Sequence, residues 1–204
     1  MNPFRVARGP SWRKQKTKGQ QLLNPVGSSS HPTVAEQQRD AGGPEGLQRA
    51  TFAAGCFWGV EASFRELEGV VRTSVGYTGG SKPDPSYEQV CSGMTGHAES
   101  VVVWFDPAVI SYADLLSAFW SMHDPTTRDR QGWDFGSQYR SAIFVHDDAQ
   151  ERLAIASRDE HQLSLARPIV TEIVPASTFY DAEEYHQRYF EKHGGAVCAT
   201  TMRA

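Results

Sequence analysis

The spacing of apolar residues changes period several times between residues 51 and 145. That order of periods constrains the fold of this chain more than any single motif. Thr51–Ala54 is a short apolar run and reads as a buried strand. Phe57, Val60, Phe64 and Leu67 then recur at helical spacing, and Gly69 supplies a stop. Residues 70–77 alternate as a strand, and residues 78–86 (TGGSKPDPS) form a loop by composition. Residues 87–90 make a turn of helix, and residues 97–105 a strand ended by Asp106-Pro107. Ser111 and Asp114 have the spacing of a capping pair for a helix reaching about His123, before Asp124-Pro125. Residues 126–138 are polar without a period, and residues 139–145 form a strand. The order β-α-β-β-α-β is that of the split βαβ, a ferredoxin-like α+β sandwich with helices on one face of an antiparallel sheet. Additional C-terminal elements follow: a helix over about 148–165, a strand over 169–174 and a helix over 181–192. Asp181 would cap that last helix with Glu184 at N3, and Gly194-Gly195 would end it.

Residues 1–48 are rich in Gly, Pro, Ser, Gln and basic side chains, and are expected to be a disordered extension. Residues 1–50 carry a net charge of +5, against −9 for residues 51–204. An acidic body without a basic cluster argues against nucleic acid as a partner. No run of about 18 apolar residues is present, so no membrane span is expected. No secretory h-region follows Met1, which makes the cytoplasm the expected compartment. The 204 residues, 39% of them hydrophobic, suffice for one domain with its own core, over residues 49–204. Three cysteines (Cys56, Cys91 and Cys198) are an odd count that speaks against a disulfide framework and for redox or catalytic use of a thiol.

Cys56 lies in Gly55-Cys56-Phe57-Trp58-Gly59, at the junction of an apolar strand and an amphipathic helix. The positive end of the helix dipole favours thiolate over thiol there, so a lowered pKa is expected. Phe57 and Trp58 could wall a small apolar pocket beside it. Glu99 shares a strand face with Val101, Val103 and Phe105, which would desolvate its carboxyl and raise its pKa towards that of a general acid. The opposite face, with Val102 and Trp104, is also apolar, so periodicity leaves open which face meets the pocket. Tyr87, Tyr139 and Asp134 sit in or beside the long loops, where phenolic hydroxyls could donate to an oxygen gaining negative charge. Cys198 lies in a Gly-flanked tail, where a thiol can reach a second sulfur and leave it again. Cys91 reads as structural. Without CxxC, HxxxH or HxH spacing the case for a metal is weak, and no glycine loop suits a phosphate; no cofactor is expected.

Five motifs in order carry a resemblance: GCFWG at 55–59, SYEQVCSGMTGHAES at 86–100, HDPT at 123–126, GSQYRSAIF at 136–144 and EEYHQRYF at 183–190. Together they resemble the A-type peptide-methionine sulfoxide reductases, from about Phe52 to Cys198. The resemblance implies a ferredoxin-like core and a reaction. Cys56 would attack the sulfoxide sulfur and Glu99 would protonate its oxygen. Tyr87 and Tyr139 would hydrogen-bond that oxygen, with Asp134 helping through water. Phe57 and Trp58 would hold the methyl group. Cys56 would become a sulfenic acid, condense with Cys198 and be recycled by thioredoxin. Oxidised proteins and free methionine S-sulfoxide would be the substrates of a monomeric repair enzyme. The chain departs from the family pattern at Trp133, where Asn is usual, and in the tail, where Gly194–Cys198 lacks the usual Asn-Pro and Tyr. A thiol peroxidase is the runner-up reading, and a ligand-binding domain with incidental cysteines is the alternative from another class.

Overall fold

A computed structural model describes residues 46–194 of the chain. The N-terminal extension up to residue 45 and the tail carrying Cys198 lie outside the described residues.

Strand β1 (Gln48–Ala54) leads through Gly55 and Cys56 into helix α1 (Phe57–Arg65), and β2 (Val70–Thr78) returns alongside. The short α2 (Tyr87–Cys91) precedes β3 (Ala98–Phe105), followed by α3 (Tyr112–Ser121). A hairpin of β4 (Arg130–Gln131) and β5 (Asp134–Phe135) and a 3-10 turn (Ser137–Tyr139) occupy the polar stretch that showed no period. Then come β6 (Ser141–Val145), α4 (Asp148–Gln162), β7 (Glu172–Pro175), β8 (Tyr180–Asp181) and α5 (Tyr189–His193).

The main sheet runs β7-β6-β1-β3-β2-β8. Its four inner strands, β6-β1-β3-β2, pair antiparallel throughout. That is the split βαβ order expected from the sequence. The late strands extend both edges: β7 joins β6 in parallel, and β8 joins β2 antiparallel.

The core lies between this sheet and helices α1 and α3. Phe52 of β1 stacks on Phe64 of α1 at 5.0 Å and on Phe119 of α3 at 5.3 Å, and all three are fully buried. Every residue of β3 is buried, because its other face is covered too. There Ala53, Ala98, Ala142 and Phe144 pack with Val174 and Ala176, and Arg72 lies over the Trp104 ring at 4.3 Å. The capping pair read from the sequence is a full capping box: Ser111 Oγ accepts the Asp114 N–H, and Asp114 accepts the Ser111 N–H. Such a cap contributes about 1 kcal/mol.

The last expected helix is the main correction. Asp181 is not an N-cap but belongs to β8, where it pairs with Gly76 and accepts a hydrogen bond from Ser74 Oγ at 2.6 Å. Glu184 accordingly does not occupy an N3 position. Turns fill 184–188, Arg188 takes a left-handed φ of 52°, and only Tyr189–His193 is helical. Tertiary partners override the helical propensity of this segment. Glu61, buried on α1, accepts the Arg188 N–H at 2.8 Å, and Gln187 is bound to both backbone groups of Val75. Gly194 ends the short helix with φ 66°. The strand expected over 169–174 sits slightly later, at β7.

Candidate active site

Gly55 adopts φ 98°, and a Cβ there would lie 2.8 Å from the Gln131 side chain. Only glycine permits that turn and that approach. The chain thus passes from β1 into α1 with the β4–β5 hairpin folded over the junction. Cys56 becomes the N-cap of α1 and is partly buried. Glu99 projects from β3 on the face shared with Val101 and Val103, which settles the question periodicity left open: this is the face under α1. Its carboxylate oxygen Oε2 accepts the Phe57 N–H at 3.1 Å, and the side chain is almost wholly buried.

The electrostatics correct one expectation. The N–H groups of Trp58 and Gly59 favour the Cys56 thiolate, as a helix N-terminus should. Burial, however, pushes the thiol up to about 12, assisted by the negative charges of Glu99 and Asp134. At neutral pH Cys56 is therefore a thiol. Glu99 behaves as expected: burial raises it to about 7, against the pull of the Phe57 N–H and with help from Asp134.

Tyr87 starts α2, and Tyr139 ends the 3-10 turn. Burial raises both phenols, and each also feels the charge of Glu99; Tyr139 is pushed up to about 12. Both stay protonated and able to donate at any working pH. Asp134, on β5, is exposed, yet its charge reaches Cys56, Glu99 and Tyr139. Phe57 is buried and Trp58 partly so, their rings 6.4 Å apart. The fold thus gathers seven of the eight residues singled out from the sequence around one spot, from α1, α2, β3, the hairpin and the 3-10 turn. Phe57 points inward, with Tyr77 at 6.0 Å, while Trp58 stacks on Tyr189 at 3.8 Å. Cys198 lies outside the described residues. Cys91, read as structural, is instead exposed at the end of α2 and is a partner of the Tyr87 hydroxyl. It ends up there because Val90, not Cys91, faces the core. Among the described residues no cluster of His, Cys, Asp and Glu could hold a metal ion.

Sequence reasoning missed Glu183 and His186. Glu183 accepts the Tyr77 hydroxyl and the Tyr87 N–H, both at 2.9 Å. Buried His186 accepts the Trp58 indole N–H at 3.1 Å. The only signal for either was their place in the EEYHQRYF motif.

The family model for peptide methionine sulfoxide reductase matches residues 48–204. A peptide methionine sulfoxide reductase MsrA of Methanosarcina mazei is 61% identical over 152 residues, 74% of this chain and 72% of that one. Among solved structures, reduced Mxr1 from Saccharomyces cerevisiae superposes with a TM-score of 0.72 at 39% identity, covering 77% of this chain and 92% of Mxr1. Mxr1 in complex with Trx2 superposes with a TM-score of 0.53 at 32% identity, covering 72% and 87%.

Proposed function

This chain belongs to the peptide methionine sulfoxide reductase family and is a peptide-methionine (S)-S-oxide reductase; from that premise we propose that Cys56 is the nucleophile and Glu99 the acid. The observation that carries the reading is Glu99 itself. It is a carboxyl 2% exposed, titrating near 7, within the field of a thiol at a helix N-terminus.

Sulfoxide oxygen is a poor leaving group until it is protonated. Glu99 is about half protonated at neutral pH and gives its proton to that oxygen as Cys56 Sγ bonds to sulfur. The Glu99 carboxylate so formed takes up the Cys56 proton, so the acid ends as it began. Oxygen then passes to Cys56, leaving the thioether and Cys56–SOH. Atoms balance: thiol plus sulfoxide gives sulfenic acid plus sulfide. Tyr87 and Tyr139 donate to the oxygen while charge builds on it, and Asp134 orders water beside it. Phe57 and Trp58 enclose the methyl group, so that polar and apolar ends of the substrate meet matching walls. Cys198 attacks the sulfenic sulfur, expels water and leaves a Cys56–Cys198 disulfide. Thioredoxin reduces that disulfide; the Trx2 complex of Mxr1 supports this choice of reductant. The reaction repairs oxidised methionine, free or in proteins.

Each epimer of a methionine sulfoxide peptide, incubated with the protein and dithiothreitol, tests the reading. Only the S epimer should be consumed, and Cys56→Ser should abolish the reaction. Undiminished turnover by Cys56→Ser would remove Cys56 as the nucleophile.

A further inference from the structure

Residues 183–190 take no part in the chemistry above, yet they tie the two halves of the pocket together. Glu183 holds Tyr87 from one oxygen and Tyr77 from the other. Three residues on, the His186 ring is 1% exposed and packs among Phe57 (5.2 Å), Trp58 (5.6 Å), Tyr87 (4.5 Å) and Tyr185 (4.1 Å). Its Nδ1 accepts the Trp58 indole N–H at 3.1 Å. The neutral ring must therefore carry its proton on Nε2. Burial keeps the ring below the usual histidine range, against the opposing pull of Glu183, so the neutral form prevails.

Among the described residues buried Nε2 has no hydrogen-bond partner; Glu183 Oε2 lies 3.9 Å away. A buried donor without a partner costs free energy that an apolar ring of similar volume would avoid. Packing alone does not account for an imidazole here. The bond to Trp58 does. Tyr189 stacks on Trp58 with its plane only 9° away. Stacking fixes the plane of an indole but leaves it free to slide and rotate within that plane. A hydrogen bond at its edge removes that freedom.

We propose that His186 is a positioning residue that locks the in-plane orientation of Trp58 over the sulfoxide methyl group and, with Glu183, couples that apolar wall to Tyr87. The proposal rests on the reading of Trp58 as part of the methyl pocket. It makes His186 a determinant of selectivity between methyl and larger alkyl sulfoxides.

Two substitutions separate this role from packing. His186→Phe fills the space without an acceptor, whereas His186→Asn keeps an acceptor oxygen near the position of Nδ1. The substrates are peptides bearing methionine S-sulfoxide or its S-ethyl homologue, with dithiothreitol as reductant. Loss of one net hydrogen bond corresponds to about a fivefold effect, so His186→Phe should raise KM for the methyl substrate by about that factor with kcat nearly unchanged. It should also narrow the preference for methyl over ethyl, and His186→Asn should restore both. Loss of kcat alone, equal losses on both substrates, or equal losses in both variants would mark a purely structural residue and overturn the proposal. A second readout needs no turnover: the Trp58 indole ¹⁵N–¹H resonance, assigned by its disappearance in Trp58→Phe. It should move in His186→Phe and stay near its wild-type position in His186→Asn; an unmoved resonance in His186→Phe would overturn the proposal. Wild-type turnover of the S epimer tests the proposed reaction separately, so the two readings can fail apart.

Discussion

Glu99→Gln should make the protein a worse enzyme and, above neutral pH, a more stable one. Below about pH 4.5, the ordinary value for this carboxyl, the group is protonated in both the folded and the unfolded chain and contributes nothing. Between 4.5 and about 7 the unfolded chain releases the proton while the folded chain keeps it. The folded state then binds more protons, so stability falls as pH rises through this window. At 1.36 kcal/mol per pH unit, the deficit reaches about 3 kcal/mol at pH 8. Glutamine never ionises, and its carbonyl can still accept the Phe57 N–H. The variant should therefore match wild type near pH 4 and exceed it by as much as about 3 kcal/mol near pH 8, less whatever its own amide N–H₂ loses by burial.

Urea denaturation of both proteins at pH 4.5, 6 and 8 measures this directly. A stability difference that stays constant across those pH values would refute the raised pKa. Activity supplies the other half. Removing a positioned acid costs roughly 10²–10⁴-fold. In wild type, kcat/KM should fall as pH rises past about 7, where Glu99 loses its proton. Cys56, pushed up to about 12, gains no compensating thiolate below pH 9. A rate that climbs between pH 7 and 9 would mean that thiolate supply, not acid supply, limits the reaction.

Two further outcomes follow from the same geometry. Cys198→Ser should still reduce one equivalent of S-sulfoxide and accumulate a dimedone-reactive sulfenic acid, while losing thioredoxin-driven turnover; turnover that survives would hand the resolving role to another thiol, and exposed Cys91 beside Tyr87 is the other cysteine of the described chain. Gly76→Ala should lower stability by about 1–3 kcal/mol in urea denaturation, because the new Cβ collides with the Tyr180 carbonyl and the Phe179 ring; a loss under about 0.5 kcal/mol would show that β8 moves aside freely.

Local signals were legible where local physics decides the outcome. The Ser111–Asp114 cap and the apolar face of α1 need only neighbours in sequence, and the four inner strands followed from their periods. The segment 181–192 was misread because its partners are distant. Asp181 goes to Ser74 and Gly76, Glu183 to Tyr77 and Tyr87, and Arg188 turns left-handed to meet buried Glu61. Side chains that would have faced solvent on a regular helix are spent on the pocket instead. Conflict between propensity and structure is expected at such sites. The face of Glu99 was undecidable for a related reason. Both faces of β3 are buried, so alternation carries no information about which one meets α1.

Cys56 shows how far a correct local argument can miss the net result. The helix terminus acts on the thiol in the direction expected, through the Trp58 and Gly59 N–H groups. It is outweighed by burial and by two carboxylates from residues 43 and 78 positions later in the chain, Glu99 and Asp134. Asp134 also helps to lift Glu99. A pocket that holds the thiol protonated and the acid about half so is poised for a substrate that needs a proton delivered and a thiolate formed in the same step. A permanently ionised thiolate beside Glu99 would push the carboxyl higher still and weaken it as an acid. Keeping Cys56 neutral until the sulfoxide arrives leaves Glu99 near the pH at which it must work.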